Sequence, residues 1–363
     1  MILRTALALA ALVLAGCATA SPTGAGPADH QVPHFAHVIV IVEENKDFAQ
    51  IADPGLAPNF NRLGKAYGQA TRFYGEVHPS EANYVALLAG DTFGIHDDDA
   101  FYCHAGLKDP WCAFADRPAY PDHTIRGPHL GAQLEARGLT WKGYFESLPE
   151  PGSLAVISGG PPSPEGSRLT ALYASKHSGF VNFESVQKDP HRAERLLGFP
   201  EFEADLAAGR LPSFALLIPN QCNEMHGLLG PGVPEDCNGA KPAPLIQRGD
   251  RVLGELVAKI QASKAWRARG NFAIVITFDE GSSGGREGCC AVTPDAPSNY
   301  GGGHIPTIVI TNHGPQGLTD DTPYNHYSLL RTLEDAFGLG GYLGHAADTD
   351  KGVLPMTRLF GGH

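Results

Sequence analysis

Three apolar runs in this chain end in side chains that bind cations or move protons. His37-Val38-Ile39-Val40-Ile41-Val42 stops at Glu43-Glu44-Asn45, and Phe272-Ala273-Ile274-Val275-Ile276-Thr277-Phe278 stops at Asp279-Glu280. Leu216-Leu217-Ile218 leads through Pro219-Asn220-Gln221-Cys222-Asn223 to Glu224-Met225-His226. In a parallel α/β sheet, ligands bind just beyond the carboxyl ends of the strands. Carboxylates gathered there repel one another unless a cation joins them. Two further segments supply other chemistry. His78-Pro79-Ser80-Glu81-Ala82-Asn83-Tyr84 places Ser80 at the start of a helix, among unpaired N–H groups and the positive end of the helix dipole. Those features suit an alkoxide or a bound phosphate oxygen, and they suit an ordinary serine N-cap equally well. Gly301-Gly302-Gly303-His304-Ile305-Pro306 lets backbone approach closely and sets one imidazole at the start of a strand.

A mixture of carboxylate, imidazole and amide groups with one hydroxyl suits a divalent ion, Zn, Mn, Mg or Ca, not thiolate chemistry. With phosphate esters as substrate, a divalent ion can clamp the oxygens of an in-line displacement while the hydroxyl acts as nucleophile.

The elements that must position these groups alternate along the chain. Strands are expected at Val38–Val42, Thr140–Phe145, Phe214–Ile218, Phe272–Phe278 and Thr307–Ile310, and helices at Pro58–Tyr67, Ser80–Leu88, Leu130–Arg137, Gly249–Ala262 and Tyr327–Phe337. This alternation predicts an α/β fold, a mainly parallel central sheet with helices on both faces. Residues 147–164, rich in Pro, Gly and Ser, read as an excursion over the surface. His96-Asp97-Asp98-Asp99 reads as a solvated loop or as part of the pocket.

With 363 residues and 42% hydrophobic composition, the chain can bury a large core. A net charge of −12 argues against nucleic acid as a partner. The start of the chain reads as an export signal: a basic end, an apolar stretch over Thr5–Leu14 too short to span a bilayer, then Leu14-Ala15-Gly16-Cys17, which has the form of a bacterial lipoprotein cleavage box. An ordinary cleavage near Ala18 or Ala20 is the competing reading. Residues 1–16 are thus expected as a signal peptide, 17–36 as a flexible tether anchored to a membrane by acyl chains on Cys17, and 37–363 as one catalytic domain. The location is periplasmic, at the outer membrane, or secreted. Cys103, Cys112, Cys222, Cys237, Cys289 and Cys290 form an even set that suits disulfides in an oxidising compartment. Their spacings suggest Cys103–Cys112 and Cys222–Cys237, with Cys289 and Cys290 bridged to each other or reaching elsewhere.

As an ordered set over roughly residues 37 to 340, these segments, with Asn325-His326-Tyr327-Ser328-Leu329-Leu330-Arg331-Thr332, strongly resemble the phosphoesterase family of bacterial and fungal acid phosphatases and bacterial phospholipases C, within the alkaline phosphatase superfamily. The resemblance implies an alkaline-phosphatase-like fold and a metal-dependent phosphomonoesterase working through a phosphoserine on Ser80. It implies that Glu44, Asn45, Ser80, Asp279 and Glu280 surround the metal that activates the nucleophile. Glu224, His226 and His304 would make or approach a second metal position, with Asn45 and His304 also among the catalytic groups. Asn45, Asn83 and His326 are the residues expected to meet substrate. Many superfamily members have Asp-His where this chain has Asp279-Glu280, so zinc and a fully occupied second position do not carry over directly. The implied partner is a phosphate ester, with phospholipids and phosphoinositides among the candidates. A phospholipase C-type phosphodiesterase is the alternative activity. A non-catalytic calcium-binding lipoprotein would have little use for His226, His304 or a helix-opening hydroxyl.

Overall fold

The computed structural model describes residues 31–98, 122–161, 169–282, 284–291 and 300–361. The expected signal peptide, the expected anchor position Cys17, the expected Cys103–Cys112 pairing and Asp99 lie outside them. The packed chain begins before residue 37, since Val32 and Phe35 are buried and Phe35 N–H donates to Ala336 O.

β-branched residues dominate the central strands and are buried toward both faces, which calls for cover on each side. The strands are β1 (His37–Glu43), β2 (Gly68–Tyr74), β3 (Trp141–Phe145), β4 (Ile157–Ser158), β5 (Tyr173–Ala174), β6 (Leu196–Leu197), β7 (Phe214–Ile218), β8 (Phe272–Phe278), β9 (His304–Thr311), β10 (Leu318–Asp320) and β11 (Tyr324–Asn325). Nine of them form one sheet in the order β10-β2-β9-β8-β1-β7-β3-β6, with β11 also on β2; β4 and β5 pair separately. The helices are α1 (Phe48–Ile51), α2 (Pro58–Ala66), α3 (Glu81–Ala89), α4 (Leu130–Ala136), α5 (Glu184–Gln187), α6 (Phe199–Ala208), α7 (Pro242–Ala262) and α8 (His326–Ala336). No helix among the described residues is long and apolar enough to cross a membrane.

The sheet is mostly parallel, as expected, but β9 runs against both its neighbours, β8 and β2. Its first residue therefore lies at the rim where β8 ends, not at the far edge. The triglycine allows this return. Gly302 N–H donates to Gly75 O (3.1 Å) and Gly281 N–H to Gly302 O (2.7 Å). A Cβ on Gly302 would sit 2.6 Å from the Gly75 carbonyl carbon, so only glycine fits between these backbones. Register then aligns the chemistry. β1 pairs with β8 so that Glu43 faces Phe278, which sets Glu44 level with Asp279.

The expected surface excursion packs back in part: Leu148, Leu154 and Val156 are buried. Among the described residues two disulfides are present, Cys222–Cys237 and the adjacent pair Cys289–Cys290.

α2 begins without a side-chain cap of its own. Asp250, reaching from the middle of α7, takes that role. Its carboxylate accepts from Asn59 N (3.0 Å), Phe60 N (2.8 Å) and Asn59 Nδ2 (3.0 Å), and the residue is buried. Replacing it leaves two helix-opening N–H groups with no acceptor. Asp250→Ala is expected to lower the unfolding free energy by about 3 kcal/mol in denaturant titration; a loss below about 1 kcal/mol would show that the cap is dispensable.

Candidate active site

Ser80 opens α3 in helical backbone geometry, and its hydroxyl makes no cap bond to the helix. The oxygen turns instead to the strand ends. Ser80 Oγ lies 3.2 Å from Glu44 Oε2, 3.3 Å from Glu280 Oε1 and 3.4 Å from Asn45 Nδ2. Serine as a plain N-cap is therefore not the local structure.

Each carboxylate arrives on its own strand. Glu44 follows β1, Asp279 and Glu280 follow β8, and Glu224 lies in the loop after β7, so the three central strands bring their acids to one rim, with the ends of β1 and β8 at Ser80. Asn45, with φ of 55°, turns the chain sharply after β1. Its N–H donates to Asp279 Oδ1 (3.1 Å) and its side-chain amide to Glu44 Oε2 (2.5 Å). Side chains alternate along a strand, so Glu43 faces away from the group containing Glu44. It lies buried toward Asp250 and Glu146, and burial raises its pKa.

A second lobe shares Glu44. Glu44 Oε1 accepts from Tyr84 OH (2.6 Å) and lies 3.2 Å from His177 Nε2. His177 Nδ1 is 2.7 Å from Glu224 Oε1, and the His177 and His226 rings are 5.3 Å apart. Ligand atoms of Glu44, His177 and His226 all lie within 4.8 Å of one another. His177 and Tyr84 were missed in the sequence. His177 sits on a short 3-10 turn, Ser175–His177, directly after the two-residue strand β5, an apolar stretch too short for its periodicity to stand out.

Burial sets the protonation of these groups in the metal-free protein. It raises Glu44, Glu224 and Glu280 well above the usual carboxylate range, with help from neighbouring carboxylates, and lifts Asp279 to about 6. It keeps His177 neutral and pushes His226 down to about 3, leaving imidazoles able to donate a lone pair to a cation. His226 Nδ1 donates to Gly227 O (2.8 Å), which turns Nε2 outward as a ligand atom.

Three expected site residues stand elsewhere. Asn83 does not face the pocket: its Oδ1 accepts from Glu76 N (2.8 Å) and Val77 N (3.2 Å) and its Nδ2 donates to Val77 O (2.9 Å), fixing the turn before Ser80. His326 is buried behind the site, where Nε2 donates to the Asp279 carbonyl (2.7 Å). Its backbone N–H is held by Glu76 Oε1 (2.9 Å). His304 reaches the correct rim, but Nε2 lies 2.7 Å from Thr71 O and the ring stacks on Phe48 at 4.6 Å. It is not in the ligand group of Glu44, His177 and His226. Asn83 and His326 satisfy backbone groups beside strand ends, and His304 serves a carbonyl at the register shift inside β2.

Asp97 and Asp98 belong to the base of α3. Asp98 accepts from Glu81 N (3.1 Å) and from Lys176 Nζ (2.7 Å), while Asp97 lies 3.6 Å from His123.

The residues fit a divalent cation. Asp279 Oδ2 and Glu224 Oε2 are buried with no protein hydrogen-bond donor, a costly arrangement for carboxylates that a cation would relieve. Two buried oxygens without donors, two neutral imidazoles and a shared glutamate make a hard-to-borderline donor set.

The carboxyl rim of the sheet thus carries a candidate metal site beside a serine hydroxyl. The chain belongs to the Phosphoesterase family, whose model matches residues 53–340. It is 30% identical over 355 residues to "Phosphatidylinositol-3-phosphatase" of Mycobacterium tuberculosis, covering 96% of this chain and 92% of that protein. It is 28% identical over 304 residues to "Acid phosphatase" of Aspergillus fumigatus, covering 82% of this chain and 53% of that one. The chain thus spans about half the length of that fungal relative. A solved structure of a protein in the alkaline phosphatase superfamily from Vibrio parahaemolyticus superposes with a TM-score of 0.49 at 14% identity, covering 86% of this chain and 68% of that one.

A cation that binds only the folded state stabilises it by mass action. Chelation of the purified protein is expected to lower its melting temperature by about 5 °C or more, with recovery on adding Zn²⁺ or Mn²⁺. The shift shrinks in His177→Ala. A melting temperature that responds to neither treatment would contradict a metal site here.

Proposed function

We propose that this protein is an exported, metal-dependent phosphomonoesterase that works through a phosphoserine at Ser80. The supporting observation is the placement of Ser80 Oγ between Glu44 Oε2 and Glu280 Oε1, at 3.2 and 3.3 Å. Glu44, Asp279 and Glu280 would hold a cation against the hydroxyl, and His177, His226 and Glu224 would hold a second through the other oxygen of Glu44. A bound divalent ion supplies Lewis acidity and charge neutralisation at the phosphoryl group.

The chain's own groups then do the rest. Ser80 attacks phosphorus in line while a carboxylate within 3.3 Å, which a bound cation would keep ionised, takes its proton, and the ester oxygen departs on the far side as an alkoxide that takes a proton from solvent. The Asn45 amide, 3.4 Å from Oγ, is placed to donate to a phosphoryl oxygen. Water then attacks the phosphoserine, releasing phosphate and restoring the hydroxyl. Tyr84 and Asn45 hold the two Glu44 oxygens in opposite directions, which keeps the shared carboxylate from rotating. In this reading a phosphoinositide monoester is a candidate substrate, given the name of the M. tuberculosis relative, and acyl chains on Cys17 would keep the enzyme at a lipid surface.

Removing a covalent nucleophile removes most of the rate. Ser80→Ala is expected to lower kcat on p-nitrophenyl phosphate by at least about 10³-fold with the melting temperature retained. Near wild-type kcat in that variant would remove Ser80 from the chemistry.

A further inference from the structure

The carboxylates around Ser80 leave little positive charge for an anionic substrate. Two ammonium groups among the described residues act electrostatically on the cluster, those of Lys46 and Lys176. Lys46 is buried and committed to backbone, donating to Met225 O (2.7 Å) and Asn45 O (3.0 Å). Lys176 is placed differently. It sits on the same turn as His177, which docks on α3 with the His177 ring stacked on Tyr84 at 5.6 Å. Lys176 Nζ donates to Asp98 Oδ2 (2.7 Å), and the other Asp98 oxygen accepts from Glu81 N (3.1 Å), the first residue of α3 and the one following Ser80. Two hydrogen bonds therefore join the ammonium to the backbone N–H of Glu81, next in the chain after the nucleophile. Both side chains keep some exposure, 14% for Lys176 and 18% for Asp98. An ammonium has three N–H donors, and the bond to Asp98 uses one.

We propose that Lys176 is a specificity-determining contact for the phosphoryl group. Tethered by Asp98 beside Ser80, its ammonium binds the second negative charge that a phosphate monoester carries and a diester lacks. This rests on the reading of Ser80 as the phosphoryl acceptor and adds what that reading leaves open, the basis for choosing monoesters. A monoester is a dianion above a pH of about 6, whereas a diester has one charge at any working pH. A fixed cation in a site crowded with carboxylates therefore acts far more on the first. Asp98 is a positioning residue: it sets where the ammonium lies and leaves N–H donors for the substrate.

The test separates substrate choice from scaffolding. Lys176→Met keeps the length of the side chain and removes the charge. It is expected to lower kcat/KM on p-nitrophenyl phosphate by about 100-fold and to change kcat/KM on bis(p-nitrophenyl) phosphate by less than about 3-fold. Lys176→Arg is expected to retain at least about a tenth of the monoester activity. Inorganic phosphate, titrated calorimetrically into the metal-loaded protein, should bind about 30-fold more weakly to Lys176→Met than to wild type. Equal losses on both esters, or unchanged phosphate affinity, would overturn the proposal. Should wild type hydrolyse no monoester, the phosphomonoesterase reading fails on its own, and phosphate affinity still decides whether Lys176 binds the anion. Melting curves confirm that the variants fold; if Lys176→Met does not, Lys176→Gln serves in its place.

Discussion

Four carboxylates, from Glu44, Glu224, Asp279 and Glu280, are buried together at the ends of three adjacent strands. They cannot all be charged in such surroundings, because desolvation and mutual repulsion both favour protonation. A bound cation would reverse that balance, and much of the surrounding structure holds the acids around the two proposed cation positions, one beside Ser80 and one beside His177. The register of β1 on β8 levels Glu44 with Asp279. The hydrogen bond from Glu44 N to Glu224 O (2.7 Å) ties the β1 rim to the loop after β7. Glu44 joins the two lobes, since one of its oxygens faces Ser80 and the other faces His177.

Behind these groups stands a layer of polar side chains that never touch the pocket. Glu76 receives the His326 N–H, His326 fixes the Asp279 carbonyl, and Asn83 holds residues 76 and 77 in front of Ser80. Burial lifts Glu76 to about 8, so it is mostly protonated at neutral pH and adds little charge to an already acidic region. The triglycine before β9 belongs to the same layer, because Gly75, Gly281 and Gly302 pack backbone on backbone. Precision at the nucleophile thus depends on loops whose own donors and acceptors are nearly all satisfied.

How much of this the amino-acid order reveals depends on the type of signal. Strands such as Phe272–Phe278 are legible because an unbroken β-branched run bounded by acids has few other meanings. The convergence of Glu44, Ser80, Asp279 and Glu280 follows from strand ends in a parallel sheet. β2 (Gly68–Tyr74) was not legible, as its polar Gln69, Thr71 and Arg72 hide its alternation. The reversal of β9 was not legible either, since local sequence does not encode strand direction. His177 escaped because it follows a strand of only two residues, and His304, Asn83 and His326 drew attention by residue type although their rings and amides serve backbone. Residue type near a strand end identifies the rim; which atoms face inward is decided by hydrogen bonds made after the chain has folded.

The shared cation is the claim on which the catalytic account turns, and diffraction tests it most directly. In crystals of the protein grown with Mn²⁺, anomalous density is expected at a position coordinated by Glu44 and within bonding reach of Ser80 Oγ, Asp279 or Glu280, or of His177 and His226. Anomalous density confined to surface acids, with none touching Glu44, would contradict it.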